Sequence, residues 1–126
     1  HELARDGQKI TRRNMMNPAE EPQVPYVTEC MTATEGPIIA ATDYMRAHTN
    51  QIREFMPRSF TVLGTDGFGR SDTRAKLREF FEVDRRYVVL AAMTALADEG
   101  AIPRSDLAKV MSDLGIDPSK PDPTTV

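Results

Sequence analysis

Apolar residues recur at helical spacing along most of this chain and run without alternation in only two short places. Residues 2–16 predict a first helix whose apolar contacts are Leu3, Ile10 and Met15, with Gly7 as its weak point. Asn17–Pro25 holds three prolines and two glutamates and predicts an extended linker. Pro25 suits the first turn of a short helix carrying Tyr26, Val27, Cys30 and Met31. Gly36-Pro37 then breaks the chain before Ile38-Ile39-Ala40-Ala41, an unalternating run that predicts a buried strand. Thr42 or Asp43 is placed to cap a following helix with the stripe Tyr44, Met45, His48, Ile52 and Phe55, and Pro57 lies past its end.

Phe60-Thr61-Val62-Leu63 is the second strand pattern. It leads into Gly64-Thr65-Asp66-Gly67-Phe68-Gly69-Arg70-Ser71-Asp72 and then an amphipathic stretch, Thr73–Phe81, that turns Leu77, Phe80 and Phe81 inward. Ser71 or Asp72 is the expected cap there. Asp84 predicts the cap of a helix over 85–99 that stops at Gly100. Tyr87–Met93 is apolar all round, so this helix is expected to be largely buried and to hold the domain together, with Ala91, Ala92 and Ala95 allowing close approach. A last helix over 103–114, opened by Pro103 and ended by Gly115, carries Leu107, Val110, Met111 and Leu114. The tail 117–126, with three prolines, is expected to be irregular or frayed. Two short buried strands among several helices predict an α/β fold with parallel strands, made of one domain over 1–116 plus the tail. Two strands make a poor sheet, so the fold is expected to be incomplete at its N-terminal edge. A start at His1-Glu2-Leu3, inside a helix, is expected to be a cut within a larger polypeptide.

Composition narrows the function classes. In 126 residues, 40% are hydrophobic and 28% charged, as in an ordinary globular domain. A net charge of −3 without a dense Lys/Arg block gives no reason to expect nucleic acid. No apolar run has the length of a membrane span, and no signal-peptide pattern is present. The single cysteine, Cys30, fits a reducing cytoplasm and is expected to pack as a small hydrophobe.

The glycine loop follows a strand and precedes a helix, the arrangement that aims backbone N–H groups at an anion. Its glycines fall as GxxGxG, however, which is neither the dinucleotide fingerprint nor a P-loop. A structural turn is the stronger reading, because glycine supplies positive φ and an acid at the helix start competes for the same N–H groups. The tip residues Asp66, Phe68 and Arg70 are candidates for contact with another domain or subunit. His48 lacks a metal-ligand partner at helical spacing and reads as a packed or interfacial histidine. Arg70, Arg74 and Arg78, with Lys76, Arg85 and Arg86 nearby, are offset by Asp72, Glu79, Glu82 and Asp84 and read as a salt-bridged surface. Docking of an acidic protein is the alternative. No nucleophile, base and oxyanion hole assemble, so the segment alone is expected to be inactive.

Three signatures are less generic: Thr42-Asp43-Tyr44-Met45, the GTDGFGRSD run, and Phe81-Glu82-Val83-Asp84-Arg85-Arg86-Tyr87-Val88-Val89. With Val24-Pro25-Tyr26-Val27-Thr28-Glu29, they resemble the C-terminal domain of the homodimeric bacterial pyruvate dehydrogenase decarboxylating components, from about Glu2 to Ile116. The resemblance implies a transketolase-like three-layer α/β domain that begins upstream of His1 with a further strand and turn. It implies a thiamin-diphosphate enzyme that oxidatively decarboxylates pyruvate and acetylates the lipoyl group of a dihydrolipoamide acetyltransferase. In the family, thiamin diphosphate and magnesium sit in another domain and the activating glutamate comes from the other subunit. No catalytic or cofactor-binding residue is therefore carried onto this segment. The implied role is structural: packing on sister domains and supporting a cytoplasmic bacterial homodimer.

Three other readings compete with this one. A paralogue acting on another 2-oxo acid, such as 2-oxobutyrate, would have the same segment. A free-standing module would bind an acidic protein through the Arg70–Arg78 edge, and a small ligand-binding domain would need an anion at Gly64–Ser71.

Overall fold

The computed structural model describes residues 1–67 and 71–125. Among the described residues six α-helices, one 3-10 turn and two strands follow one another: α1 (Glu2–Met16), α2 (Tyr26–Thr32), β1 (Ile38–Ala41), α3 (Arg46–Asn50), the 3-10 turn Arg53–Phe55, β2 (Phe60–Leu63), α4 (Arg74–Phe80), α5 (Arg85–Asp98) and α6 (Asp106–Leu114). The strands lie parallel, with Ile38 beside Phe60 and Ala41 beside Leu63. Ile38 N–H donates to the Ser59 carbonyl and Thr42 N–H to that of Leu63. By that alternation Ile39 and Ala41 direct their N–H and C=O groups to the outer edge. Among the described residues those groups have no partner.

Side chains alternate across the sheet. Thr61 and Leu63 share a cleft with Tyr87, Leu90 and Thr94 of α5. Phe60 and Val62, both buried, turn to the opposite face, where the Arg53 guanidinium covers the Phe60 ring at 5.3 Å. Arg53 Nη1 also donates to the Phe60 carbonyl at 2.6 Å, covering one acceptor on the β2 edge. Helices on both faces of a small parallel sheet give the α/β architecture expected from the two apolar runs.

The helices depart from expectation where packing overrides periodicity. α1 docks through Ala4 and Gly7 rather than Leu3, Ile10 and Met15, and Met15 is 70% exposed. A Cβ at Gly7 would lie 2.4 Å from the Phe55 ring, so this glycine is a close-approach site and not merely a weak point. α3 spans only Arg46–Asn50, because Thr42 and Asp43 are used elsewhere. The Thr42 hydroxyl accepts from Tyr44 N–H, and Asp43 meets Arg74 and Arg78. α4 is capped by Thr73, whose hydroxyl accepts from Lys76 N–H, and not by Ser71 or Asp72. α6 starts at Asp106, since 103–105 form a turn before it.

α5 is capped as expected by Asp84, which accepts from Arg86 and Tyr87 N–H. It is not largely buried, however. Tyr87, Ala95 and Ala97 are buried, most of its remaining apolar residues are half-buried, and Val89 is exposed. Apolar composition makes burial favourable, but this chain supplies too little neighbouring surface to complete it.

Arg58 is a tie that no local pattern announces. Its guanidinium donates to the Met31 and Gly36 carbonyls, each at 2.7 Å, and to the Thr34 hydroxyl at 3.0 Å. It thereby satisfies acceptors at the C-terminal end of α2 and in the turn that aims β1.

Candidate functional site

Both parallel strands end at the same side of the sheet, where open α/β folds place their functional loops. The segment after β1, Thr42–Met45, and the one after β2, Gly64–Gly67, are locked together there. Thr65 N–H donates to the Tyr44 carbonyl at 3.0 Å, and the Thr65 hydroxyl donates to that of Asp43 at 2.8 Å. Asp66 accepts from Arg46 N–H at 2.9 Å and from Arg46 Nε at 2.7 Å. Those bonds from Arg46 hold the Asp66 carboxyl below its ordinary pKa. Asp66 thus satisfies the first donor of α3 from twenty residues away, a cap that sequence spacing does not reveal.

Of the three tip candidates, Asp66 is therefore engaged within its own chain, while Phe68 and Arg70 lie outside the described residues. Arg74 and Arg78 both reach Asp43, at 3.6 and 3.2 Å. Arg86 pairs with Glu79 and Asp84, and Lys120 with Glu82. At Arg74, Arg78 and Arg86 the basic edge is salt-bridged, with Asp43 as an anionic partner that sequence order does not suggest, while Arg70 lies outside the described residues. Exposed pairs of this kind each contribute about 0–1 kcal/mol.

The described part of the loop at Gly64–Gly67 does not offer an anion cradle. A Cβ at Gly64 would lie 2.6 Å from the Arg46 side chain and 2.9 Å from the Tyr44 carbonyl oxygen. One at Gly67, where φ is +113°, would lie 2.8 Å from the Pro123 carbonyl oxygen. Carbonyl oxygens at both glycines repel an anion, and Asp66 already takes the N–H at the start of α3. Among the described residues no three His, Cys, Asp or Glu side chains gather to hold a metal ion. Among the described residues the donors needed for a diphosphate and its divalent cation are not assembled, and those residues do not fit thiamin diphosphate.

A cleft of about 490 Å³ beside the loop is floored by Leu77 and Phe81 and rimmed by Asp43, Asp72, Arg74 and Arg78. Its charges balance and it gathers no acid–base pair. His48 is exposed, with its ring edge-on to Tyr44 at 5.4 Å, and faces no core of this chain. Cys30 is exposed, which corrects the expectation of burial: Val27 takes the core side of the short helix α2. No described helix is long and apolar enough to cross a membrane.

The family described as the transketolase-like TK C-terminal domain matches residues 7–84, more than half of the chain. The chain belongs to that family. Along almost its full length it is also similar to proteins named pyruvate dehydrogenase E1 component. Identity is 54% over 125 residues with that of Cupriavidus necator and 52% over 124 with that of Pseudomonas aeruginosa, covering 99% and 98% of this chain. With that of Escherichia coli K12 it is 47% over 123 residues, or 97% of the chain. In each case the chain spans 14% of the relative's length.

Proposed function

We propose that this chain is the C-terminal domain of a pyruvate dehydrogenase E1 subunit and that its role there is architectural. The carrying observation is the near end-to-end match, at 52 and 54% identity, to proteins of that name. In this reading the subunit oxidatively decarboxylates pyruvate with thiamin diphosphate and magnesium, and passes the acetyl group to the lipoyl group of a dihydrolipoamide acetyltransferase. The cofactor and the reacting groups lie in sister domains, in keeping with a strand-end junction whose donors are already used by the chain itself. Residues 1–116 form the domain body and 117–126 its irregular tail. Phe68 and Arg70 are assigned to contact with a sister domain or the dimer partner, while Asp66 holds the same loop from within. The enzyme works in the bacterial cytoplasm as a homodimer.

The surface supports a covered role. Tyr44 and Met45 are 60% and 50% exposed beside the locked loops, and the outer edge of β1 is open. An acidic partner docked on Arg74 and Arg78 is less favoured, since Asp43 already compensates both.

The test starts with the intact mass of the native polypeptide, expected to be several times 14.1 kDa. Thiamin-dependent decarboxylation by the whole polypeptide is then compared with a version lacking this segment, and with the segment alone. The segment alone should be inactive, and the shortened polypeptide should lose dimer stability and turnover. Full activity of the shortened dimer would overturn the architectural role, and a preference for 2-oxobutyrate over pyruvate would reassign the substrate.

A further inference from the structure

Three helices end in the same hydrogen-bonded motif. In each, two successive N–H groups fold back onto the last turn: Gly100 and Ala101 onto Ala97 and Leu96 after α5, Gly115 and Ile116 onto Ser112 and Met111 after α6, and Glu82 and Val83 onto Glu79 and Arg78 after α4. The first residue of each pair is left-handed, with φ of +79°, +70° and +62°. Glycine fills that place twice, as its lack of a Cβ favours. After α4 the place is filled by Glu82, the only non-glycine residue with positive φ among those described.

What distinguishes Glu82 is its carboxylate. Oε1 accepts from Lys120 Nζ at 3.2 Å, and the same ammonium donates to the Phe80 carbonyl at 2.9 Å and lies 5.3 Å from the centre of the Phe80 ring. The tail beyond Lys120 then crosses to the glycine loop. Pro123 is buried, and its carbonyl oxygen occupies the space beside Gly67. Asp122 and Lys120 share with Arg46, Gly64 and Asp66 a cleft of about 290 Å³. Turns at Asp117–Lys120 and Asp122–Thr125 stiffen the path, with Ser119 and Thr124 N–H each donating to the preceding aspartate. A segment without helix or strand is therefore tied at both of its turns.

We propose that residues 117–125 form a strap, buckled by Lys120 on Glu82 and pressed by Pro123 against Gly67, that fixes the conformation of the Gly64–Gly67 loop. The unfavourable backbone of Glu82 is retained because a glycine there would remove the carboxylate from the buckle and leave the ammonium on the Phe80 carbonyl. Strap and loop are thermodynamically linked, so whatever binds the tail also acts on the loop, and the reverse holds equally.

Amide hydrogen exchange on the whole polypeptide tests this with Lys120→Met, which keeps the aliphatic stem and removes the charge. Loss of a charge-assisted hydrogen bond should speed exchange about tenfold at Thr124 and Thr125 in the tail and within Thr65–Gly67 alike. Glu82→Gly, which puts the favoured residue at the left-handed position and so does not threaten folding, should have the same effect. Lys109→Met on exposed α6 should change neither segment. Unchanged exchange at Thr65–Gly67 with a loosened tail would overturn the strap, as would an unchanged tail in both Lys120→Met and Glu82→Gly.

Discussion

The junction at the strand ends and the layer behind the sheet are held by opposite means. At the junction, Arg46–Asp66, Thr65–Asp43 and the two arginines on Asp43 close polar groups on one another between Asp43 and Arg78. In the layer, α5 carries a nearly continuous apolar surface, yet Val89 stays exposed and the outer edge of β1 is unpaired among the described residues. Hydrogen bonds of fixed geometry have to be completed locally, whereas apolar burial is non-directional and any neighbouring surface can complete it. Among the described residues the junction is closed within this chain, and the layer is the part left for a cover, which in the proposed reading is a sister domain.

The largest expected effect tests, on the sheet face opposite α5, whether apolar burial outweighs the polar junction in stability. Phe60 is 7% exposed beneath the Arg53 guanidinium. Phe60→Ala removes its ring from the sheet face and should cost about 3 kcal/mol, read from the urea midpoint of the chain. A loss below about 1 kcal/mol would reverse the comparison and make the polar junction the main source of stability.

Asp66→Asn examines the junction and should have a smaller effect, below about 1 kcal/mol for a partly exposed pair. Its signature is the pH dependence. The folded-state pKa of Asp66 lies below its unfolded value, through the Arg46 side-chain and backbone hydrogen bonds. Its contribution is present above the ordinary carboxylate range and is lost as pH falls through the folded value, below about pH 4. Asp117 and Asp122 are lowered as well, by their bonds from Ser119 and Thr124, and act in the same direction. The variant should therefore lose part of the acid dependence and leave the rest. Identical unfolding midpoints for both proteins from pH 3 to pH 7 would show that the latch is not coupled to folding.

The same contrast explains what sequence reasoning could reach. The bounds of α1 and of both strands, Asp84 as a cap and Gly100 and Gly115 as stops follow from signals within one or two turns of chain, and the parallel pairing from two short apolar runs set among helices. Asp66 on Arg46, Arg58 on the end of α2 and Lys120 on Glu82 join residues about twenty to forty positions apart. No periodicity encodes such pairs, so Asp66 is recognisable as a special loop residue without its inward role being visible. Burial was misread in one direction: Cys30 and the apolar face of α5 satisfy every local criterion for a core, but this chain does not provide the core to receive them.

The smallest expected effect is the most informative about covering. Val89 is 43% exposed on α5 and lines a cleft of about 650 Å³ with Ala41, Ala75 and Val88. In the isolated chain, Val89→Ser changes little buried area and should shift stability by no more than about 0.5 kcal/mol. In the whole polypeptide, a sister domain lying on this cleft would bury the side chain, and the same substitution should then cost about 1–2 kcal/mol, seen as a lower midpoint of the dimer. The difference between the two measurements isolates the cover, because the contacts of Val89 within its own chain are common to both. Equal and near-zero shifts would mean that this cleft stays open to water, and that the sister domain meets the chain at Tyr44 and Met45 or along the edge of β1.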